Sequence, residues 1–476
     1  MKKIFVSGSF NVLHPGHLRL LRFAKECGDH LTVAVQSDRL AGEAAHVHEQ
    51  LRLESLQSVA WVNEAFIFDE PLPEVILRLR PDVVVKGKEH ETRFNPEGAV
   101  LEQYGGSLMF SSGETIFSSL ELIRKEFQVL DFDSIKLPHD YLKRHNIKLV
   151  HLIELLQKFP ELKICVIGDL IIDEYITCEP LGMSQEDPTI VVTPLDSTRF
   201  LGGAGIVAAH AAGLGATVHF FSVTGNDASR DYALTALTDA GVNNVELLID
   251  DSRPTTLKQR YRSKGKSLLR VSHLHQGAIS IALQAELLKA LEYSLSDADL
   301  LVFSDFNYGC LPQPLVDQIV DIAIKFGVLT AADSQSSSQV GNISRFKNMN
   351  LITPTELEAR ISTRNREDGL VVMVEQLRQE AGAHKVLLKL GEEGLLIHAA
   401  NIHNDNWVTD RVDALNFAAK DVAGAGDSLL ITSAMTLACG GNIWEAACLG
   451  SIAAAVQVGR VGNTPLRPKD LLREFN

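Results

Sequence analysis

Two trains of alternating strand and helix signals run along this chain, and they restrict its architecture more than any single motif does. In the first, residues 4–6 form a short β run ending at Ser7-Gly8-Ser9. Leu18, Leu21 and Ala24, flanked by Leu20, Phe23 and Cys27, follow at helical spacing and stop at Gly28-Asp29. Residues 31–35 read as a second buried strand. A helix over about 49–62, a strand over 65–68, a helix near 73–79 and a strand over 83–85 come next. A strand around 108–110 and a helix over 118–127 close the block. Residues 129–140 mix charge, Pro138 and little periodicity, and read as a linker. A helix over 141–159 leads into the second train, whose first strand spans 163–167 and runs into Gly168-Asp169. Such alternation implies parallel sheets covered by helices on both faces. The expected organisation is therefore a doubly wound α/β domain over 1–128, a linker over 129–140 and a second α/β domain over 141–476. Residues 189–194 and 255–271 break the rhythm. They are β-rich without an intervening helix, and predict a small sheet laid over a site as a lid.

A length of 476 residues accommodates two to four domains. The net charge of −15 argues against nucleic acid or an anionic membrane as partner, leaving small molecules bound at local sites. The six cysteines, Cys27, Cys165, Cys178, Cys310, Cys439 and Cys448, are scattered without a C-x-x-C pair. This predicts reduced thiols, no zinc site and a cytoplasmic location. The apolar start at residues 4–6 is interrupted too early by Ser7, Gly8, Ser9, Asn11 and His14 for a signal peptide, and no stretch is apolar enough to span a membrane.

Asp421-Val422-Ala423-Gly424-Ala425-Gly426-Asp427 precedes a long apolar run ending at Gly440-Gly441. The run reads as a buried helix, so Gly424, Ala425 and Gly426 lie at its N-terminus. Backbone N–H groups lack intrahelical partners there, and the dipole favours an anion such as phosphate. Asp427, on the first turn, is placed to take a proton from a hydroxyl attacking that phosphate. Four further stretches accompany it: Gly202-Gly203-Ala204-Gly205 opening a small-residue helix, Ser304-Asp305-Phe306-Asn307-Tyr308-Gly309 ending a strand, Thr353-Pro354-Thr355-Glu356-Leu357-Glu358, and Lys389-Leu390-Gly391-Glu392-Glu393-Gly394. In this order they resemble the ribokinase-like (PfkB) sugar kinases, from about residue 160 onward. The resemblance implies a ribokinase-like fold with a β lid, and a kinase using ATP and Mg2+. Asp427 would be the base and Gly424, Ala425 and Gly426 the anion hole. Gly391, Glu393 and Gly394 would approach the nucleotide, and Glu358 would hold Mg2+ through water. Asp169, Asp173, Gly202 and Gly203 would face the sugar. Ile206 stands at the position where the family carries an Asn on the sugar side.

At the first strand's end, Phe10-Asn11-Val12-Leu13-His14-Pro15-Gly16-His17 puts two imidazoles three residues apart at a helix start, where both can face one phosphate chain. With Val35-Gln36-Ser37-Asp38, Val85-Lys86-Gly87 and Phe117-Ser118-Ser119, this stretch resembles the cytidylyltransferase-like nucleotidyltransferases over about residues 3–127. The resemblance implies a Rossmann-like domain in which a substrate phosphate oxygen attacks a nucleotide α-phosphate and pyrophosphate leaves. His14 and His17 would stabilise charge on the transferring phosphoryl. Gly8, Ser9, Phe10, Lys86, Ser118 and Ser119 would bind nucleotide and phosphate. Ala41 occupies the place of a family lysine aimed at the phosphates, with Arg39, His46 or His48 as expected substitutes and Lys86 or Lys88 next.

A PfkB kinase joined to such a transferase resembles the bifunctional heptose enzymes of lipopolysaccharide precursor synthesis, here with the domain order reversed. Gly168-Asp169-Leu170-Ile171-Ile172-Asp173 and Val456-Gln457-Val458-Gly459-Arg460-Val461-Gly462 add to that likeness. It implies phosphorylation of heptose 7-phosphate at the anomeric hydroxyl, then nucleotidyl transfer giving ADP-heptose. Two alternatives stand beside it: a transferase using CTP on another phosphorylated alcohol, and a first domain that only binds nucleotide to regulate the kinase. A homodimer is the expected assembly.

Overall fold

The computed structural model describes residues 2–13, 15–42, 45–87, 95–111, 135–184, 186–263, 266–336, 341–400 and 407–475. The chain divides into two compact units, Met1–Phe132 and Asp133–Asn476. The first holds β1 (Lys3–Gly8), β2 (His30–Gln36), β3 (Glu64–Phe68), β4 (Val83–Gly87) and β5 (Ser107–Ser111). All neighbours pair in parallel, in the order β3-β2-β1-β4-β5. Ile4, Val6, Val83 and Val85 pack on one face with Leu21, Ala24 and Leu56, while Phe5 and Val84 pack on the other with Val75, Ile76 and Leu101. Alternate side chains point to opposite faces, so a sheet covered on both sides needs the near-continuous apolar runs that this sequence carries. The strand order reverses beside β1, which puts a ligand crevice at the end of β1, where Gly8, Ser9 and Phe10 lie.

The second unit carries β6 (Lys163–Gly168), β7 (Leu170–Met183), β8 (Ile190–Gly203), β9 (Thr217–Thr224), β10 (Asn244–Ile249), β11 (Thr256–Ser263), β12 (Lys266–His273), β13 (Leu300–Asp305), β14 (Leu329–Ser334), β15 (Leu351–Ile352), β16 (Lys385–Lys389), β17 (Leu395–Ala400) and β18 (Trp407–Val412). Nine of these strands form one sheet in the order β10-β9-β6-β13-β14-β15-β16-β17-β18, parallel up to β16 and antiparallel beyond. Two apolar cores cover its two faces. A separate four-stranded sheet, β12-β11-β7-β8, is the lid. Its two longest strands, β7 and β8, have 14 residues each, and β7 lies outside the expected pair of β-rich stretches. The first half of β7 is buried and the second half exposed, because it leaves the core to join β8 in a projecting ribbon.

Three boundaries differ from expectation. The helix expected over 141–159 is two helices, His139–Arg144 and Leu149–Lys158, separated at Asn146, whose φ of 52° is left-handed and cannot continue a right-handed helix. The helix expected over 49–62 ends at Gln57, because the chain must turn before β3 starts at Glu64. Within the expected linker, residues 135–140 belong to the second unit: Ile135 bridges Asn416, and the Lys136 N–H donates to the Leu415 carbonyl. The rest of that stretch and the helix expected over 118–127 lie outside the described residues.

Candidate active sites

The helix Ala425–Ala438 starts at Gly424, whose φ of 76° suits only glycine without strain; a Cβ there would also lie 2.4 Å from Asn463 Oδ1. This start opens on a cavity of about 280 Å³ lined by Asp173, Gly203, Lys258, Arg260, Phe306, Gln335, Thr355, Glu358, Lys389, Gly424, Gly426, Asp427 and Asn463, among others. Asp427 is 5% exposed and accepts a hydrogen bond from Gln335 Nε2 at 3.3 Å. Burial and the charge of Asp333 push its carboxyl up to about 7, against the opposing pull of Lys389. A carboxyl poised there loses its proton near neutral pH and can serve as a base. Asp173 accepts from Arg260 Nη2 at 3.3 Å, Gly202 abuts its carboxylate, and burial raises its pKa. Glu358 closes a capping box with Thr355: Oε2 accepts from the Thr355 N–H and Oε1 from the Ser336 N–H.

Asp173, Gly203, Glu358, Gly424, Gly426 and Asp427 are thus brought together, with Ala425 inside the same turn. The remaining expected residues lie as follows. Asp169 is outside the cavity lining; its carboxylate accepts the N–H groups of Phe306, Tyr308 and Cys310 at 2.8, 3.2 and 3.2 Å, so it ties down the loop after β13 instead of facing sugar. Gly391, Glu393 and Gly394 form a short turn that contributes nothing to the cavity lining, and Glu393 pairs with Arg411 at 3.5 Å. Ile206 is fully buried in the helix Ala204–Gly213, because that helix is apolar all round and packs inside the core.

In the first unit, β1 ends at Gly8, and Ser9 and Phe10 follow it, Phe10 with φ 47°. His17 lies on the helix Pro15–Glu26. Its Nδ1 is 3.1 Å from the Val12 carbonyl, which can only accept, so Nδ1 carries a proton; its ring meets Phe10 edge-on at 5.1 Å. His14, Ser118 and Ser119 lie outside the described residues, as does Lys88. Two of the expected stand-in cations, Arg39 and Lys86, are held by carboxylates. Arg39 forks onto the Asp69 carboxylate at 2.9 and 3.1 Å and donates to its carbonyl at 2.6 Å. Lys86 pairs with buried Glu97 at 2.8 Å. Arg52, fully buried, donates to the Ser9 carbonyl, Asp38 Oδ1 and the Val47 carbonyl at 2.6, 2.6 and 2.7 Å, and so holds the β1 loop against the Ser37-Asp38 segment.

Residues 161–470 match the pfkB family carbohydrate kinase profile, and residues 5–106 match the cytidylyltransferase-like profile. The chain belongs to the pfkB carbohydrate kinase family. Among curated relatives, "Bifunctional protein HldE" of Desulfatibacillum aliphaticivorans is 29% identical over 66% of this chain and 63% of its own length. The protein of the same name from Bradyrhizobium diazoefficiens is 30% identical over 65% and 62%. The chain therefore spans under two thirds of the length of these relatives. Ribokinase from Thermotoga maritima superposes with a TM-score of 0.51 at 20% identity over 66% of this chain and 99% of that one. Phosphofructokinase-2 from Escherichia coli does so at 0.52 and 18%, over 66% and 98%. These likenesses establish the ribokinase-like fold of the pfkB unit.

For a pfkB kinase, the fit of Mg2+ can be tested on Glu358. Both of its oxygens accept a backbone N–H, and the residue lines the cavity. Among the described residues no group of three or more His, Cys, Asp or Glu side chains could hold a metal. One carboxylate sharing the ion with nucleotide phosphates and water fits magnesium's habits. When bound, the ion would neutralise phosphate charge.

Sequence reasoning missed Lys258, Arg260, Gln335, Asp333, Lys389 and Asn463. Lys258, Arg260 and Arg262 do recur at period two along β11, which puts three cations on one face of the lid. That pattern was available in the sequence. Asp333 and Lys389, 56 residues apart, meet only through the sheet.

Proposed function

We propose that this chain is a bifunctional sugar-activating enzyme of lipopolysaccharide precursor synthesis. Its kinase half, residues 141–476, uses ATP and Mg2+ to phosphorylate heptose 7-phosphate at the anomeric hydroxyl. Its transferase half, residues 1–128, joins the sugar 1-phosphate to AMP, giving ADP-heptose and pyrophosphate. The observation that carries the kinase half is Asp427: a buried carboxyl with a pKa of about 7, at the cavity end of a helix whose first residues can cradle a phosphoryl group. In the attack, the hydroxyl proton passes to Asp427. Lys258 and Arg260, lining the same cavity from the lid, favour a sugar that is itself phosphorylated. The relatives' name, a bifunctional protein, supports the pairing of the two halves.

The enzyme works in the cytoplasm as a homodimer; no described helix is long and apolar enough to cross a membrane. Exposed Leu181, Met183, Ile190, Val191 and Leu195 on the projecting lid ribbon support self-association. The test is incubation of the purified chain with ATP, Mg2+ and heptose 7-phosphate, read by mass spectrometry. A heptose bisphosphate plus ADP is expected. Phosphorylation of unphosphorylated sugars alone would sink the heptose reading.

One observation favours a second reading of the first unit. Arg39 and Lys86 are both held by carboxylates, which suits a transferase that is slow, that takes CTP and another phosphorylated alcohol, or that only binds nucleotide and regulates the kinase. Pyrophosphate release measured with ATP and with CTP, over a panel of sugar 1-phosphates and glycerol phosphate, separates these.

A further inference from the structure

Lys389 ends β16 and reaches under the start of the helix Ala425–Ala438. A Cβ placed on Gly426 would lie 3.2 Å from its Nζ, so the missing side chain of Gly426 is what lets the ammonium approach the loop. The same Nζ donates to both oxygens of Asp333 at 3.0 and 2.8 Å. Asp333 is almost wholly buried, whereas the Lys389 side chain keeps 13% exposure and lines the cavity with Gly424, Gly426 and Asp427.

A purely structural account of this pair is weak. Desolvating two charges costs about as much as their attraction returns, and an apolar pair of similar volume usually serves stability as well. Here, moreover, the pair is not sealed off. Its cationic end opens onto the loop whose backbone N–H groups would receive a phosphoryl group. Burial alone would lower the lysine's pKa, but Asp333 and Glu358 raise it above its ordinary value, so the ammonium stays charged at any pH where the enzyme works.

We propose that Lys389 is a catalytic residue of phosphoryl transfer, contacting the phosphoryl oxygens as the group passes from nucleotide to sugar, with Asp333 as its positioning residue. This inference rests on the kinase reading above. In the step, the sugar hydroxyl gives its proton to Asp427 and its oxygen forms the new bond to phosphorus. The bond from phosphorus to the nucleotide's bridging oxygen breaks, and ADP leaves with that electron pair. Lys389 keeps its proton throughout and offsets charge on the transferring group.

The test compares Lys389→Met, Lys389→Arg and the double variant Lys389→Met/Asp333→Asn, in which no buried carboxylate is left unpaired. With ATP, Mg2+ and heptose 7-phosphate, both Met variants should lose on the order of a hundredfold or more in kcat while the sugar KM moves by less than a few-fold. Lys389→Arg should recover part of the loss. Calorimetry adds a readout that a packing role would not move: affinity for ADP with fluoroaluminate, which mimics the transferring group, should fall much further than affinity for ADP alone. A folded double variant with wild-type kcat overturns the proposal. So does an equal loss of affinity for ADP and for ADP with fluoroaluminate. If the wild-type chain phosphorylates no sugar phosphate, the kinase reading fails first and this inference with it; if the wild type is active and the variants match it, only the role of Lys389 fails.

Discussion

In the pfkB unit, Asp427, Asp333 and Asp173 are buried around one cavity, their carboxyls pushed above the usual carboxylate range by desolvation, and Lys389 stands among them. In the cytidylyltransferase-like unit the corresponding resources are spent on architecture. Arg39 is taken up by Asp69 on the surface, Lys86 by Glu97, and Arg52 by the loop after β1. One unit has its charges gathered around one cavity. The other uses them, among the described residues, to hold backbone in place. The difference predicts unequal dependence on single side chains, and the following experiments are ordered by how strongly they probe it.

The largest effect falls on Asp427. Asp427→Asn should lower sugar phosphorylation by a factor on the order of a hundred or more, because an amide cannot take the hydroxyl proton, while nucleotide affinity is kept. Steady-state kinetics and ADP titration check it; full activity in the folded variant would remove Asp427 from the mechanism. Next is His17→Ala, expected to abolish most pyrophosphate release yet leave the kinase rate alone. Loss of both activities at saturating substrate would mean that the two units do not act independently.

A smaller effect, graded with pH, follows from the raised pKa of Asp427. The base must be ionised, so kinase kcat/KM should rise about tenfold per pH unit below about 7 and flatten above it. The same shift has a stability consequence of opposite sense. The unfolded carboxyl ionises near 3.8 and the folded one near 7, so between these values the folded state alone holds the proton, and its stability falls as pH rises. Asp427→Asn removes that cost. Its melting temperature should exceed that of wild type by a few degrees at about pH 8 and by much less near pH 4. A gain independent of pH would mean that the carboxyl is not buried as charged.

The legibility of the two units differs for a physical reason. Their α/β rhythm was readable, because strands buried on both faces need continuous apolar runs and helices between them need a 3.6-residue period. The small-residue helix start was readable too, because Gly424-Ala425-Gly426 and Asp427 are contiguous. Asp169 misled: it follows a strand in the manner of a ligand-binding carboxylate, yet its oxygens are taken by backbone N–H groups more than a hundred residues away. The burial of Ile206 was not readable from its position after a glycine pair, which does not say which way a helix faces. Lys389 was quoted within a motif but not recognised, because what gives it meaning is Asp333 on a strand separated from β16 by β15. Pairings of that kind exist only after the sheet is assembled.

The smallest expected effect bears on the residue that sequence reasoning favoured most as a stand-in cation. Arg39 is two-thirds exposed, and its guanidinium is engaged by the Asp69 carboxylate and carbonyl together, so turning it toward a nucleotide would require giving up three hydrogen bonds. Arg39→Ala should therefore change pyrophosphate release by less than a few-fold. Ala41, at the end of the short helix Asp38–Ala41, carries no such commitment. If that position faces the phosphates, Ala41→Lys adds a cation where one is lacking, and the rate should rise by up to the hundredfold that a well-placed donor contributes. The paired result discriminates sharply. A rise with Ala41→Lys and no change with Arg39→Ala means that the unit is an active transferase short of one charge. A large loss with Arg39→Ala would mean that Arg39 leaves Asp69 when nucleotide binds, and that the contrast between the two units disappears once the substrates are in place.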